Sequence, residues 1–151
     1  MKAREIMTSH PATVTPADPV GLVAGLMYEH DCGCLPVVPA ADGHGVLGVV
    51  TDRDLALRAL GNGLPANTQV GEVMTREPAT VSPDASLEDV ETLMAERQIR
   101  RVLVVDAAGD IMGLIAQADL ARAARKGPKP SPETLAWVIE RISQPNAVPS
   151  R

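Results

Sequence analysis

The sequence predicts an α+β protein made of two strand–helix–strand–strand–helix units. Three observations carry that expectation: a duplication running through most of the chain, a length that suits two small interdependent units, and apolar stretches that alternate between strand and helix periods. Met7-Thr8 and Pro11-Ala12-Thr13-Val14-Thr15-Pro16 recur 67 residues on as Met74-Thr75 and Pro78-Ala79-Thr80-Val81-Ser82-Pro83. The copies stay in register through Val23, Leu26, Met27 and Glu29 against Val90, Leu93, Met94 and Glu96, and through Val37-Val38 against Val104-Val105. The register then slips by two residues, which places the extra length of the first copy in the turn Ala40 to Gly45. At 151 residues the chain can fill one good core, and a half of about 60 residues is marginal alone. The halves are therefore expected to share a core.

Each element follows from local pattern. The first helix is predicted to open at Asp18-Pro19, an N-cap followed by Pro at the first helical position, with Val20, Val23 and Met27 on one face. Its counterpart opens at Ser86, where Asp89 completes a capping-box-like pair and Leu87, Val90 and Met94 repeat the spacing. Leu35 to Val38 and Val46 to Val50 read as short strands around a Gly-rich turn, and Val102 to Val105 with Ile111 to Ile115 flank Ala107-Ala108-Gly109-Asp110. Each half thus supplies a hairpin. A second helix starts at Thr51 or Asp52, with Asp52 and Asp54 in the first turn where negative charge suits the dipole, and Gln117 to Arg125 is its partner. Beyond the repeats, Gly127-Pro128-Lys129-Pro130 breaks the chain and Ser131-Pro132 caps a last helix with Leu135, Val138, Ile139 and Ile142 as one stripe. That helix is expected to cover its own module, with fraying after Gln144. The resulting boundaries are 1–62 for the first repeat, 63–67 for a linker rich in turn formers, 68–126 for the second repeat, and 127–151 for the Pro-rich linker and helix.

Composition excludes several functions. A net charge of −5 and a pI near 5.1 give no electrostatic hold on a phosphate backbone. With no Phe, one Tyr and one Trp, stacking platforms for single strands are missing too. No nucleic-acid partner is expected. Apolar runs fall far short of the roughly 20 residues of a membrane helix, no apolar segment follows the charged start, and two closely spaced cysteines make no disulfide framework. The expectation is a cytoplasmic protein with no membrane association.

Gly48-Val49-Val50-Thr51-Asp52-Arg53-Asp54 resembles the Gly-x-x-Thr/Ser-x-x-Asp signature of CBS domains, and the tandem arrangement is similar to a CBS pair, or Bateman module. Ile99-Arg100-Arg101-Val102-Leu103-Val104-Val105-Asp106 resembles the family's strand motif, with Leu103 where Pro is usual and Pro36 in that place in repeat one. The resemblance covers roughly residues 4 to 125. It implies a four-layer α/β/β/α arrangement, paired sites in a cleft between the halves, and a homodimer.

Thr51 and Asp54 lie three residues apart where a strand runs into a helix, so both can face one ligand. An ionised carboxylate only accepts hydrogen bonds and suits ribose hydroxyls, while Thr51 and the amides of the helix start can donate to phosphate. Gly48 admits close approach of a backbone or ring. The plainer reading is that Thr51 caps the helix with Asp54 solvated beside it. In repeat two Ala116 replaces the hydroxyl and Asp119 keeps the carboxylate, so the two sites cannot be equivalent. The family resemblance implies nucleotide-phosphate contacts for Arg100 and Arg101, for which the alternative is a solvated strand edge. It also implies base contacts from the backbone at Thr13, Val14, Thr80 and Val81; Arg53 is a further candidate. No catalytic residues, obligatory cofactor or metal site are expected.

The function implied is regulatory: AMP, ATP or a related adenosyl nucleotide binds, and the module, not an enzyme, signals energy or metabolite state through a protein partner or an oligomeric change. A ligand-independent interaction module is one alternative. A redox or metal sensor using His30, Cys32, Cys34 and His44 is another, although a single residue between the cysteines is unusual for zinc.

Overall fold

The computed structural model describes residues 1–40 and 44–145. In chain order the elements are α1 (Ala3–Ile6), β1 (Thr8–Ser9), α2 (Val20–Glu29), β2 (Cys34–Val37), β3 (Gly48–Thr51) and α3 (Asp52–Asp54), followed by β4 (Thr75–Arg76), β5 (Thr80–Val81), α4 (Leu87–Arg97), β6 (Arg101–Val105), β7 (Ile111–Ala116), α5 (Gln117–Lys126) and α6 (Pro132–Ser143). The fold is mixed α+β with two sheets, one of strand order β2-β3-β4 and one of order β1-β7-β6-β5.

The chain packs as two compact units that exchange their opening segments. One combines Met1–Thr8 with Ala79–Val104 and the chain from Leu114; the other combines Ser9–Pro78 with Val105–Gly113. The exchange is written in two matching sets of backbone hydrogen bonds. In the first unit Ala3 donates to Ala85, Arg4 to Pro83 and Leu87 to Met1; in the second, Val70 donates to Asp18, Gly71 to Pro16 and Val20 to Thr68. Lys2 and Arg4 both pair with Asp84, at 2.9 and 2.7 Å, fastening α1 further. The second unit's core joins Val14, Val23, Met27, Leu35, Val37 and Val50 to Val70, Val73 and Met74 from the opening of repeat two. Core sharing between the repeats therefore takes the form of this exchange.

Strand register repeats as the sequence does. Val14 bridges Val37 in parallel, and β5 pairs β6 in parallel with Val81 opposite Val104. In the second unit β2 and β3 form the expected antiparallel hairpin, Cys34 opposite Thr51 and Val37 opposite Gly48. The second strand of that hairpin starts at Gly48 instead of Val46, and Ala41, Asp42 and Gly43 of its turn lie outside the described residues. In the repeat-two hairpin Gly109 takes a left-handed φ of 89°. Asp106 Oδ1 accepts from the amides of Ala108 and Asp110 there, closing the turn.

The caps expected at Ser86 and Ser131 form, and the one expected at Asp18 does not. Ser86 and Asp89 form the expected reciprocal capping pair. Ser131 caps α6, with Pro132 at its first position. Asp18 does not cap α2: Pro19 holds that place, and the Asp18 carboxylate accepts from the Thr15 amide three residues earlier. A carboxylate can close a tight turn as readily as it caps a helix, and here the turn wins.

The helix after Thr51 is regular only through Asp54. It widens into a π turn over Leu55–Ala59 and ends in a 3₁₀ turn at Leu60–Asn62, with Gly63 left-handed. The C-terminal helix docks within the first unit against α4 and α5, burying Val138 and Ile142 with Leu135 half-buried. Ile139 departs from the expected stripe and stays 37% exposed. The fraying expected after Gln144 falls, apart from Pro145, on residues outside those described.

Candidate ligand-binding site

In each unit a strand runs straight into a helix, and the junction is built alike. Thr51 and Ala116 are both extended, at φ −114°, ψ 162° and φ −103°, ψ 161°. The next amide is held by the neighbouring strand start: Asp52 donates to the Gly33 carbonyl at 3.0 Å and Gln117 to the Arg100 carbonyl at 2.9 Å. Residues 33–34 and 100–101 therefore stand beside equivalent helix starts.

At the first junction Thr51 Oγ1 accepts from the Asp54 amide at 3.1 Å, and Asp54 Oδ2 accepts from the Thr51 amide at 3.0 Å. The Thr75 hydroxyl donates to the same carboxylate at 3.3 Å, with Arg58 Nε 3.7 Å away. Thr51 is thus the helix cap. Asp54, only 8% exposed, is not solvated in the first turn; its carboxylate is engaged by three elements of its own unit. Gly48 also has a structural duty, because a Cβ there would lie 2.4 Å from the Thr75 carbonyl oxygen. The close approach it admits is that of β4.

At the second junction Asp119 Oδ2 accepts from the Ala116 amide at 2.7 Å, and Oδ1 accepts from Arg122 at 2.7 Å. The other half of the box is missing, since Ala116 has no hydroxyl. Losing the threonine removes one donor yet leaves the Asp119 amide without a side-chain cap at the start of α5.

A cleft of about 300 Å³ opens at this second junction. It is lined by Arg100 and Arg101, by Ala116, Gln117, Ala118 and Ala121, and by Ile139 of α6. β6 starts at Arg101, and β5 pairs with it at Leu103 and Val104, so the two arginines lie at the opening of the strand, ahead of that pairing. Two arginines beside a helix start whose Asp119 amide has no side-chain cap can hold an anion such as phosphate, and the alanines leave room for a flat apolar group.

The CBS domain model matches residues 3–61 and again 70–126. The chain belongs to the CBS domain family. It is similar to the CBS domain-containing protein YhcV of Bacillus subtilis (strain 168), 43% identical over 119 residues that make up 78% of this chain and 81% of that protein. Among solved structures it resembles CBSX2 in complex with AMP, at 31% identity and TM-score 0.71, covering 83% of this chain and 96% of that one. It also resembles Hypoxic Response Protein I with two coordinated zinc ions, at 32% identity and TM-score 0.71, covering 81% and 98%. The chain is a CBS-pair regulatory module.

Of the site residues expected from the CBS signature, the structure brings Arg100 and Arg101 into one cleft, with Ala116 where the signature hydroxyl would be. Asp119 lies three residues on, its carboxylate turned to its own helix. Thr80 is exposed and Val81 half-buried on β5, which pairs two and three residues beyond Arg101. In the other unit Thr13 is exposed and Val14 buried beside β2. Arg53 is exposed in the first turn of α3. Sequence reasoning missed Gln117, Ala118, Ala121 and Ile139 in the cleft, and Thr75 and Arg58 around Asp54. The Met-Thr pair was visible as a repeat, but a two-residue strand carries no period that names its partner.

The His and Cys candidates do not converge. His44 Nδ1 lies 2.9 Å from Asp110 Oδ2, and Gly45 donates to the other oxygen of the same carboxylate at 2.7 Å. Hydrogen bonding to Asp110 raises the His44 pKa above its ordinary 6.5, and the same bond lowers that of Asp110. Cys34 is buried in β2 and Cys32 half-buried. Among the described residues no group of three or more His, Cys, Asp or Glu could hold a metal ion, and no helix is long and apolar enough to cross a membrane.

Proposed function

We propose that this CBS pair senses an adenine nucleotide, AMP, ATP or a related adenosyl compound, and signals through a protein partner or a change of oligomeric state. One observation carries the reading: two arginines, three alanines and an uncapped helix start line a single cleft in the first unit. Arg100 and Arg101 hold the phosphate, the backbone at Thr80 and Val81 meets the base, and Asp119 takes the ribose once its Oδ1 gives up Arg122. In the second unit Thr51 and Asp54, with Thr13, Val14 and Arg53, make a weaker site, because Gly33 and Cys34 stand where the arginines stand in the first. AMP in the CBSX2 complex supports the choice of ligand class. Leu57 and Leu60, 53% and 78% exposed on the second unit, suit a homodimer contact, which sedimentation of Leu60→Lys would test by its shift to monomer.

Thermal melting with AMP and ATP tests the ligand. At one hundred times its dissociation constant a ligand adds about 2.7 kcal/mol, or roughly 5–10 °C for a protein of this size. Arg100→Ala with Arg101→Ala should remove the shift and leave the unliganded melt in place. A flat melt with every adenosine nucleotide would sink the proposal in favour of a ligand-independent interaction module. A shift with zinc alone would instead point to the cysteines.

A further inference from the structure

The CBS match ends at residue 126, yet the Arg100–Arg101 cleft is completed by a residue beyond it. Val138 and Ile142 anchor α6 by full burial. The Gln98 side chain donates to the Arg141 carbonyl at 3.3 Å, which ties the helix to the turn two residues ahead of Arg100. Lys129 pairs with Glu88 of α4 and holds the connecting segment. Ile139 follows the buried Val138, but it stays partly open and lines the cleft. A β-branched apolar side chain left half-open on a well-anchored helix can bury its remaining surface against a bound molecule.

We propose that Ile139 is a ligand-contacting residue and that α6 is the element through which occupancy of the cleft is read. The ligand class is an anion with a flat apolar portion, spanning the arginines and Ile139. Such a ligand binds the docked form of α6 better than an undocked one, so occupancy shifts the helix toward docking. A partner that recognises α6, or the surface it leaves when undocked, then senses the ligand. This inference rests on the nucleotide reading above.

The test uses the full chain with AMP and ATP as probes. Hydrogen exchange follows the amides of α6, and Trp137, the single tryptophan and 45% exposed on the same helix, supplies a fluorescence signal. Saturating nucleotide should slow exchange across Val138 to Ile142 severalfold and change Trp137 emission. Calorimetry should show Ile139→Ala weakening binding by about three- to tenfold, the worth of burying part of an isoleucine. Ile139→Glu, which brings a negative charge to the anion's cleft, should weaken it further, and Ile139→Leu should bind like wild type. All three should melt near wild type without ligand. Nucleotide binding with unaltered α6 exchange, or wild-type affinity in both Ile139→Ala and Ile139→Glu, overturns this inference alone. Failure of wild type to bind either nucleotide overturns the nucleotide reading and this inference with it.

Discussion

Thr75 donates its hydroxyl to the carboxylate of Asp54 at 3.3 Å, linking the opening strand of repeat two to the helix start of repeat one. Asp54 therefore has a folding role whatever it binds. Asp54→Ala strips acceptors from the Thr51 amide and the Thr75 hydroxyl and should destabilise the protein by about 1–3 kcal/mol. Thr75→Val, which deletes only the hydroxyl, should cost about 1 kcal/mol. Urea unfolding checks both. A loss of nucleotide response in Asp54→Ala becomes interpretable only beside Thr75→Val, whose ligand response should survive; an Asp54→Ala protein as stable as wild type would show that the carboxylate is not part of this joint.

Asp31 and Gln98 follow the first helices of the two repeats, and both are left-handed, at φ 48° and 52°. His10 and Glu77 form a second such pair, at 51° and 52°. In both cases the duplicated fold imposes the same backbone strain at matching positions, and neither repeat places glycine there. Asp31→Gly should raise stability by about 0.5–1 kcal/mol, because glycine adopts this region freely and a negative charge leaves the helix C-terminus. Gln98→Gly should gain less, since it also gives up the bond to Arg141. Chemical denaturation of the two variants side by side gives the ordering. Asp31→Gly at or below wild-type stability would contradict the strain argument.

Glu91 of α4 is 5% exposed, and its Oε1 finds no hydrogen-bond partner. Burial raises its pKa above the ordinary 4.5, with Glu88 adding to the rise and Lys129 opposing it. An acid whose folded pKa is raised weakens the fold as pH climbs from the unfolded value through the folded one, because the unfolded chain gives up the proton first. Glu91→Met should therefore stabilise the protein by about 1 kcal/mol at neutral pH. The gain should fade as the pH drops toward 4.5. Melting curves from pH 4 to 8 measure it, and a gain that grew on acidification would have the wrong sign.

What the sequence made legible was whatever has a period or a local cap. The faces Val20-Val23-Met27 and Leu87-Val90-Met94, the hairpins, the Ser86–Asp89 box and the Ser131 cap all follow from spacing within one element. The exchange of opening segments was hidden, because Thr8-Ser9 and Thr75-Arg76 are too short to show a period and their partners are distant in sequence. Asp18 misled because Thr15 offered its carboxylate a competing amide. In the cleft, Arg100 and Arg101 stood out by charge, but Ala118 and Ala121 look like any helix alanines. Ile139 sat in a stripe whose other members are core. Its role depends on where α6 docks, which no local pattern fixes.

Gly48 and Gly25 offer opposite outcomes from the same substitution. A methyl group on Gly48 would meet the Thr75 carbonyl oxygen at 2.4 Å, with the Met74 sulfur 3.4 Å away, and neither the paired backbone of β4 nor β3 can yield without breaking their ladder. Gly48→Ala should cost about 2–3 kcal/mol, in the range of overpacked cores. Because β3 leads directly into Thr51, the Thr51–Asp54 joint should loosen as well, visible as faster amide exchange at both residues. Gly25, inside α2, has open space around its added Cβ, so Gly25→Ala should stabilise by about 0.5–1 kcal/mol through helix propensity. If the two variants melted alike, the strand approach at Gly48 would not be the reason for the first glycine of the signature, and close contact with a ligand would regain its place as the explanation.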